Sequence, residues 1–222
     1  MDLLVCPTGV RDVVTITGAL PAWDAAQPVL GDLTASMLER GTARHTAREI
    51  AAILDRTGAT IHCAYEAGSV RFVARCLKQD SPVVIGLLAE QLREPTFPAD
   101  EFEKLRKQKL AEAQRLREDT DAQASIAFRR AIYPPGHPLY RLTAEETLAA
   151  LEAATLESVK AYHAAWYGPS FCTLVVVGDA EPQAIQAQVS QAFAQWRGGR
   201  PLPEIALVKP LDGKREIVVA VP

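Results

Sequence analysis

The sequence predicts an α+β fold: one mixed, mostly antiparallel β-sheet with helices packed on one face. Three observations carry this. Strand-like runs come in pairs near the start and helical stretches follow, so the two types are partly segregated. Residues 69–77 alternate cleanly, with Val70, Phe72, Ala74 and Cys76 on one face and Arg71 and Arg75 on the other, as in a strand covered on one side only. Leu174-Val175-Val176-Val177 is an unbroken apolar run, which reads as a central strand.

The elements follow in order. Leu3–Cys6 and Val13–Leu20 are β-rich, and Pro7-Thr8-Gly9 between them reads as a hairpin turn. Asp24 to Glu39 turns helical, with Ala26, Val29, Leu30, Leu33, Met37 and Leu38 at helical spacing and Gly41 placed as a C-cap. Thr46-Ala47-Arg48-Glu49 is a capping box for a helix that closes at Gly58. Strands Ala59–Tyr65 and Ser69–Leu77 come next, joined near Glu66-Ala67-Gly68. Ser81-Pro82 opens a helix that Pro95–Pro98 breaks. A charged helix runs from Asp100 to about Arg117 and resumes toward Ile132. Tyr133–Pro138 is a loop, Thr143–Glu146 a second capping box, and Leu156–Trp166 a helix stopped by Gly168-Pro169. Asp179 and Pro182 start the next helix, which Gly198-Gly199 ends. Residues 201–214 form a connector, proline-rich to Pro210, leading to a last strand at Glu216–Val221. The whole reads as a single domain over 1–222. Its stop inside a strand-like run suggests a piece of a longer protein.

Composition narrows the function. Hydrophobic residues make up 48% and charged residues 23% of 222, which excludes wholesale disorder. A net charge of −3 (24 basic, 27 acidic side chains) argues against a nucleic-acid partner. No apolar run approaches the ~18 residues of a membrane span. Cys6, Cys63, Cys76 and Cys172 show no C-x-x-C spacing. A hairpin turn at residue 67 would pair Cys63 with about residue 71 and leave Cys76 roughly 15 Å further along, beyond disulfide reach. The four thiols read as small buried hydrophobes.

Motifs for phosphate, dinucleotide, acyl-transfer or H-E-x-x-H zinc chemistry are absent. The four histidines are isolated. His45 and Glu49 share one helix turn but lack a third ligand. His62 and Cys63 are adjacent and point to opposite strand faces. His137 reads as solvent-facing in its loop, and His163 as core rim or surface. The basic residues of 100–118 are offset by glutamates and read as a solvated face. Tyr162, Trp166, Tyr167 and Phe171 read as a helix packing on the next strand. Asp119 and Asp121 lack EF-hand spacing.

One resemblance spans nearly the whole chain. Leu33-Thr34-Ala35-Ser36-Met37-Leu38-Glu39-Arg40-Gly41-Thr42 resembles the H-F-L-E-H-M-x-F-x-G-T segment of the pitrilysin/insulinase (M16) zinc metallopeptidases. Ile50 to Leu54 with Gly58-Ala59, Leu88 to Glu103 with Pro95-Thr96-Phe97, Tyr133–Pro138, and Tyr162 to Asp179 ending Val-Val-Val-Gly-Asp resemble later family segments in the same order.

The departure lies at the metal site. The family's inverted H-x-x-E-H holds Zn²⁺ with two imidazoles, and its glutamate takes a proton from the bound water. Alignment on Gly41-Thr42 puts Asp32, Ala35 and Ser36 at those places. The third ligand, a glutamate in the family, falls at Ala113, beside Glu112.

The resemblance therefore implies a zinc-less half with no catalysis of its own and no metal or other cofactor in this chain. Zinc would belong to a homologous partner half, in the same chain or a second subunit, and peptide would be the substrate. This half would wall the chamber and hold extended peptide along Ala59–Tyr65, at Ile61, His62, Cys63 and Ala64. A bacterial periplasm or envelope is the compartment that the resemblance suggests. Two alternatives stand beside this reading: a structural core subunit with no peptide role, like the related core proteins of respiratory complexes, and an active zinc peptidase using His45, His62 and His137.

Overall fold

Five strands make one open sheet in the computed structural model, which describes residues 1–205, 207, 208, 213 and 216–218. They are β1 (Asp2–Pro7), β2 (Val13–Pro21), β3 (Thr60–Glu66), β4 (Ser69–Leu77) and β5 (Thr173–Gly178), in the spatial order β1, β5, β2, β4, β3. The β1–β5 pair is parallel and the others are antiparallel. The sheet is thus mixed and mostly antiparallel, as expected.

The hairpin expected at Pro7-Thr8-Gly9 does not form. β5 lies between β1 and β2 and pairs with both. The link between β1 and β2 is long enough to step over one strand, and its backbone closes around the end of β5. The Thr8 N–H donates to the Gly178 carbonyl at 2.9 Å, and the Asp179 N–H to the Val13 carbonyl at 2.9 Å. The Asp12 N–H donates to Asp179 Oδ2, and Lys78 Nζ sits 2.6 Å from Asp179 Oδ1. Gly178 is required there: its φ is +129°, and a Cβ would lie 2.2 Å from the Val13 oxygen. The apolar run of β5 is interior in the sheet, yet only Leu174 and Val176 are fully buried, with Val175 and Val177 half-buried on the open face.

The β3–β4 connection is a two-residue turn with Ala67 and Gly68 both at positive φ. It pairs Cys63 with Phe72, one residue from the expected position, and leaves Cys76 further along β4. Both thiols are buried and free, as is Cys172, whereas Cys6 is only half-buried. Strand faces then divide. Val14, Ile16, Cys63, Phe72, Ala74 and Val176 are fully covered, while Arg71, Val73 and Arg75 stay exposed. Gly18 makes room for Phe72, whose ring would be 2.4 Å from an added Cβ.

The helices are α1 (Leu30–Met37), α2 (Ala47–Thr57), α3 (Ser81–Arg93), α4 (Ala99–Arg115), α5 (Thr120–Ile132), α6 (Ala144–Ala153), α7 (Leu156–Trp166) and α8 (Pro182–Ala192). The helix expected from Asp24 begins instead at Leu30. The segment before it is a turn in which the Ala26 N–H bonds the Asp24 side chain, and Pro28 lies just ahead of the helix start. Leu38–Arg40 continues α1 as a 3₁₀ turn. Leu30, Leu33, Met37 and Leu38 are all buried, each stabilising the fold by about 1.5–3 kcal/mol. Both capping boxes form, at Thr46/Glu49 and Thr143/Glu146. The charged helix divides after Arg115, because the Asp119 side chain accepts from the Ala122 N–H and caps α5. Glu181, not Asp179, caps α8. The last strand expected at Glu216–Val221 and parts of the 201–214 connector lie outside the described residues; Glu216–Val218 show no strand.

Candidate functional site

α1 and α4 lie against each other and between them carry the four aligned metal-site positions. Ala35 is 0% exposed and Ala113 2% exposed, so two of the four places are methyl groups packed in the core. Ser36 is half-buried and its carbonyl accepts from Arg40 Nε at 3.3 Å. Arg40 reaches on to Glu101 Oε2 at 2.9 Å and Gln108 Oε1 at 3.4 Å, tying the α1 terminus to α4. Asp32 faces α4 as well, and there Lys109 Nζ sits 2.7 Å from Asp32 Oδ2, with Glu112 Oε2 at 3.7 Å.

This donor set does not fit zinc. One carboxylate already neutralised by an ammonium, a hydroxyl and two methyls supply neither three ligands nor a base for a bound water. The lysine pairs with Asp32, whose side chain is 45% exposed. Glu112, one step round the helix from Ala113, is 63% exposed and turned to Lys109.

The other titratable candidates are dispersed. His45 Nδ1 lies 2.8 Å from Glu90 Oε2, which also accepts from the Thr42 hydroxyl, while Glu49 is engaged in its capping box. His137, expected to face solvent, is half-buried. Its ring stacks on Tyr133 and accepts the Leu139 N–H at Nδ1. His163 is half-buried at the core rim, between Phe97 and Tyr167, with Nε2 3.0 Å from the Leu92 carbonyl; this desolvation pushes its pKa down to about 4. Tyr162, Trp166 and Tyr167 are buried as expected, but Phe171 is 55% exposed. Among the described residues no group of three or more His, Cys, Asp or Glu side chains is arranged to hold a metal ion. His45, His62 and His137 therefore do not converge.

β3 is an edge of the sheet. Its two-residue turn makes Glu66/Ser69 a hydrogen-bonded pair, so Ala64, His62 and Thr60 turn their backbone groups to β4. Ile61, Cys63 and Tyr65 turn theirs to the free side. Of the four residues expected to hold peptide, Ile61 and Cys63 present backbone outward, while His62 and Ala64 present side chains on the open sheet face. The Cys63 N–H is already engaged: it donates to Glu39 Oε1 at 2.8 Å, and His62 Nδ1 lies 3.4 Å from the same oxygen. Neither Lys109 nor Glu39 stood out in the sequence, because each acts through a contact distant along the chain.

The layer is mixed α+β, with β3 as an edge strand beside α1, and a carboxylate, two methyls and a hydroxyl occupy the aligned ligand positions on α1 and α4. Two family models match the chain: "Insulinase (Peptidase family M16)" over residues 30–134 and "Peptidase M16 inactive domain" over residues 153–222. The chain belongs to the M16 peptidase family. No curated protein matches it. Among solved structures it is similar to a peptidase M16 inactive domain from Pseudomonas fluorescens, with a TM-score of 0.84 and 23% identity over 93% of this chain and 51% of that one. A protease from Helicobacter pylori gives 0.75 and 19% over 93% and 52%. The periplasmic protease PqqL from Escherichia coli gives 0.75 and 16% over 92% and 24%. The chain thus spans about half the length, or less, of these structures. Among the described residues no helix is long and apolar enough to cross a membrane.

Proposed function

We propose that this chain is a non-catalytic M16 half that walls a proteolytic chamber and holds extended peptide for a zinc-bearing partner half, in the same polypeptide or a second subunit. The observation that carries this reading is the replacement at the metal site: Lys109 on Asp32 at 2.7 Å, with buried Ala35 and Ala113 where a base and a third ligand are needed. In this reading zinc is the partner's cofactor. The free edge of β3, through Ile61 and Cys63, is where an extended peptide would add as a further strand, with His62 and Ala64 beside it. A periplasmic location is part of the proposal and draws support from the periplasmic neighbour.

The test is reconstitution. The chain alone is expected to show no chelator-sensitive cleavage of an unfolded peptide, and mixing it with the zinc-bearing half is expected to raise that half's turnover. Chelator-sensitive turnover by the chain alone would overturn the proposal, as would a partner equally active without it.

A further inference from the structure

We infer that Glu39 is an internal cap on the free edge of β3, and that its carboxylate competes with any strand that adds there. The inference rests on the peptide-holding reading above and adds the device that controls it. An incoming strand pairs by giving carbonyls to the outward N–H groups of Ile61, Cys63 and Tyr65 and taking N–H groups from their carbonyls. The middle donor of that ladder, the Cys63 N–H, is held by Glu39 Oε1 at 2.8 Å. The holding group is charged, so its hydrogen bond is stronger than that of the neutral carbonyl that would replace it.

Sequence position explains the reach. Glu39 lies in the 3₁₀ turn that extends α1, and this turn packs beside β3. Arg40, the next residue, is anchored to Glu101 on α4, which fixes the turn in place. The Glu39 side chain is 37% exposed and His62 is 76% exposed, so the cap is open to solvent and can swing away without breaking the core. An unpaired strand edge is a template for unwanted pairing, and a charge placed on it blunts that tendency.

The occupant is an extended peptide with a basic side chain at its centre. Once displaced, Glu39 stays beside the added strand as a carboxylate. A lysine or arginine there offsets the lost bond, and an acidic residue there is repelled.

Two measurements test this on the chain and its Glu39→Ala variant. The first is amide exchange by NMR. Cys63 is expected to exchange about tenfold faster or more in the variant, with His62 and Ala64, which face β4, unchanged. The second is binding of fluorescein-labelled ten-residue peptides of alternating valine and serine with a central lysine, glutamate or serine. The serine peptide is expected to bind the variant about tenfold tighter, equivalent to ~1.4 kcal/mol. The native chain is expected to prefer lysine over glutamate several-fold, and the variant to lose that preference. N-methylation of alternate peptide amides is expected to abolish binding.

Unchanged exchange at Cys63, or equal affinity of the two proteins for the serine peptide, overturns the inference. Faster exchange with no peptide bound by either protein overturns the peptide-holding reading, and the gating role falls with it. Dimerisation of the variant in place of peptide binding assigns the edge to a second copy and overturns the peptide as occupant.

Discussion

Rebuilding the metal site gives a quantitative test of what Lys109 does. The fourfold variant Asp32→His, Ala35→Glu, Ser36→His, Ala113→Glu restores the family's ligands and base in the aligned positions. It also leaves the Lys109 ammonium, 2.7 Å from the present Asp32 carboxylate, facing the new imidazole. Adding a zinc–nitrogen bond of ~2.1 Å places the ammonium roughly 5 Å from the ion. Repulsion between charges of +2 and +1 at that distance is about 1.7 kcal/mol in water and about 7 kcal/mol at an effective dielectric of 20. Lys109 is 23% exposed and its side chain is flexible, so the lower figure is taken as the minimum. It corresponds to a loss of at least about tenfold in zinc affinity. Competition titration with a fluorescent zinc chelator, on the fourfold variant and on the same variant with Lys109→Ala, reads the difference directly. Circular dichroism confirms that both are folded. The fivefold variant is expected to bind zinc about tenfold more tightly or better. Equal affinities would refute the role given to Lys109, and no zinc in either folded variant would refute the placement of the four positions.

Three further outcomes follow from local structure. Burial holds the His163 pKa at about 4 when folded, below its ordinary 6.5, so the unfolded chain binds the extra proton; stability is full above pH 6.5 and is lost as pH falls toward 4. Between pH 7 and 5 the loss is about 2 kcal/mol, and in urea titrations the native chain should lose about that much more stability than His163→Gln over this range; parallel curves would contradict it. Thr46→Ala removes the capping box of α2 and should cost about 1 kcal/mol in the same titration, with Thr46→Asp recovering most of it. Gly178→Ala forces a Cβ to 2.2 Å from the Val13 carbonyl at positive φ, so a loss above ~2 kcal/mol is expected, and a melting temperature within a degree of native would contradict the β2–β5 register.

What was legible in the sequence was local. The Thr46 and Thr143 capping boxes, the 69–77 alternation and the Leu156–Trp166 helix are written in side chains a few residues apart, and the structure keeps them. The β1–β2 connection misled because a Pro-Thr-Gly turn looks the same whether its strands pair or stand apart to admit a third. Only β5, from the far end of the chain, decides that. The α1 start misled because Ala26 and Val29 fit the helical spacing while Pro28 and the Asp24 side chain favour a turn. At the candidate site the losses were visible, since Ala35 and Ala113 are what they are in any fold. The compensations were not, because Asp32–Lys109 and Glu39–Cys63 join elements that touch only after folding.

The central claim is that Lys109 and two buried methyls stand where a zinc site would need ligands and a base. Metal analysis of the purified native chain, equilibrated with excess Zn²⁺ and then dialysed against a weak chelator, tests it most directly. Far less than one zinc per chain is expected. One zinc per chain that survives dialysis, and is lost in Asp32→Ala, would contradict it.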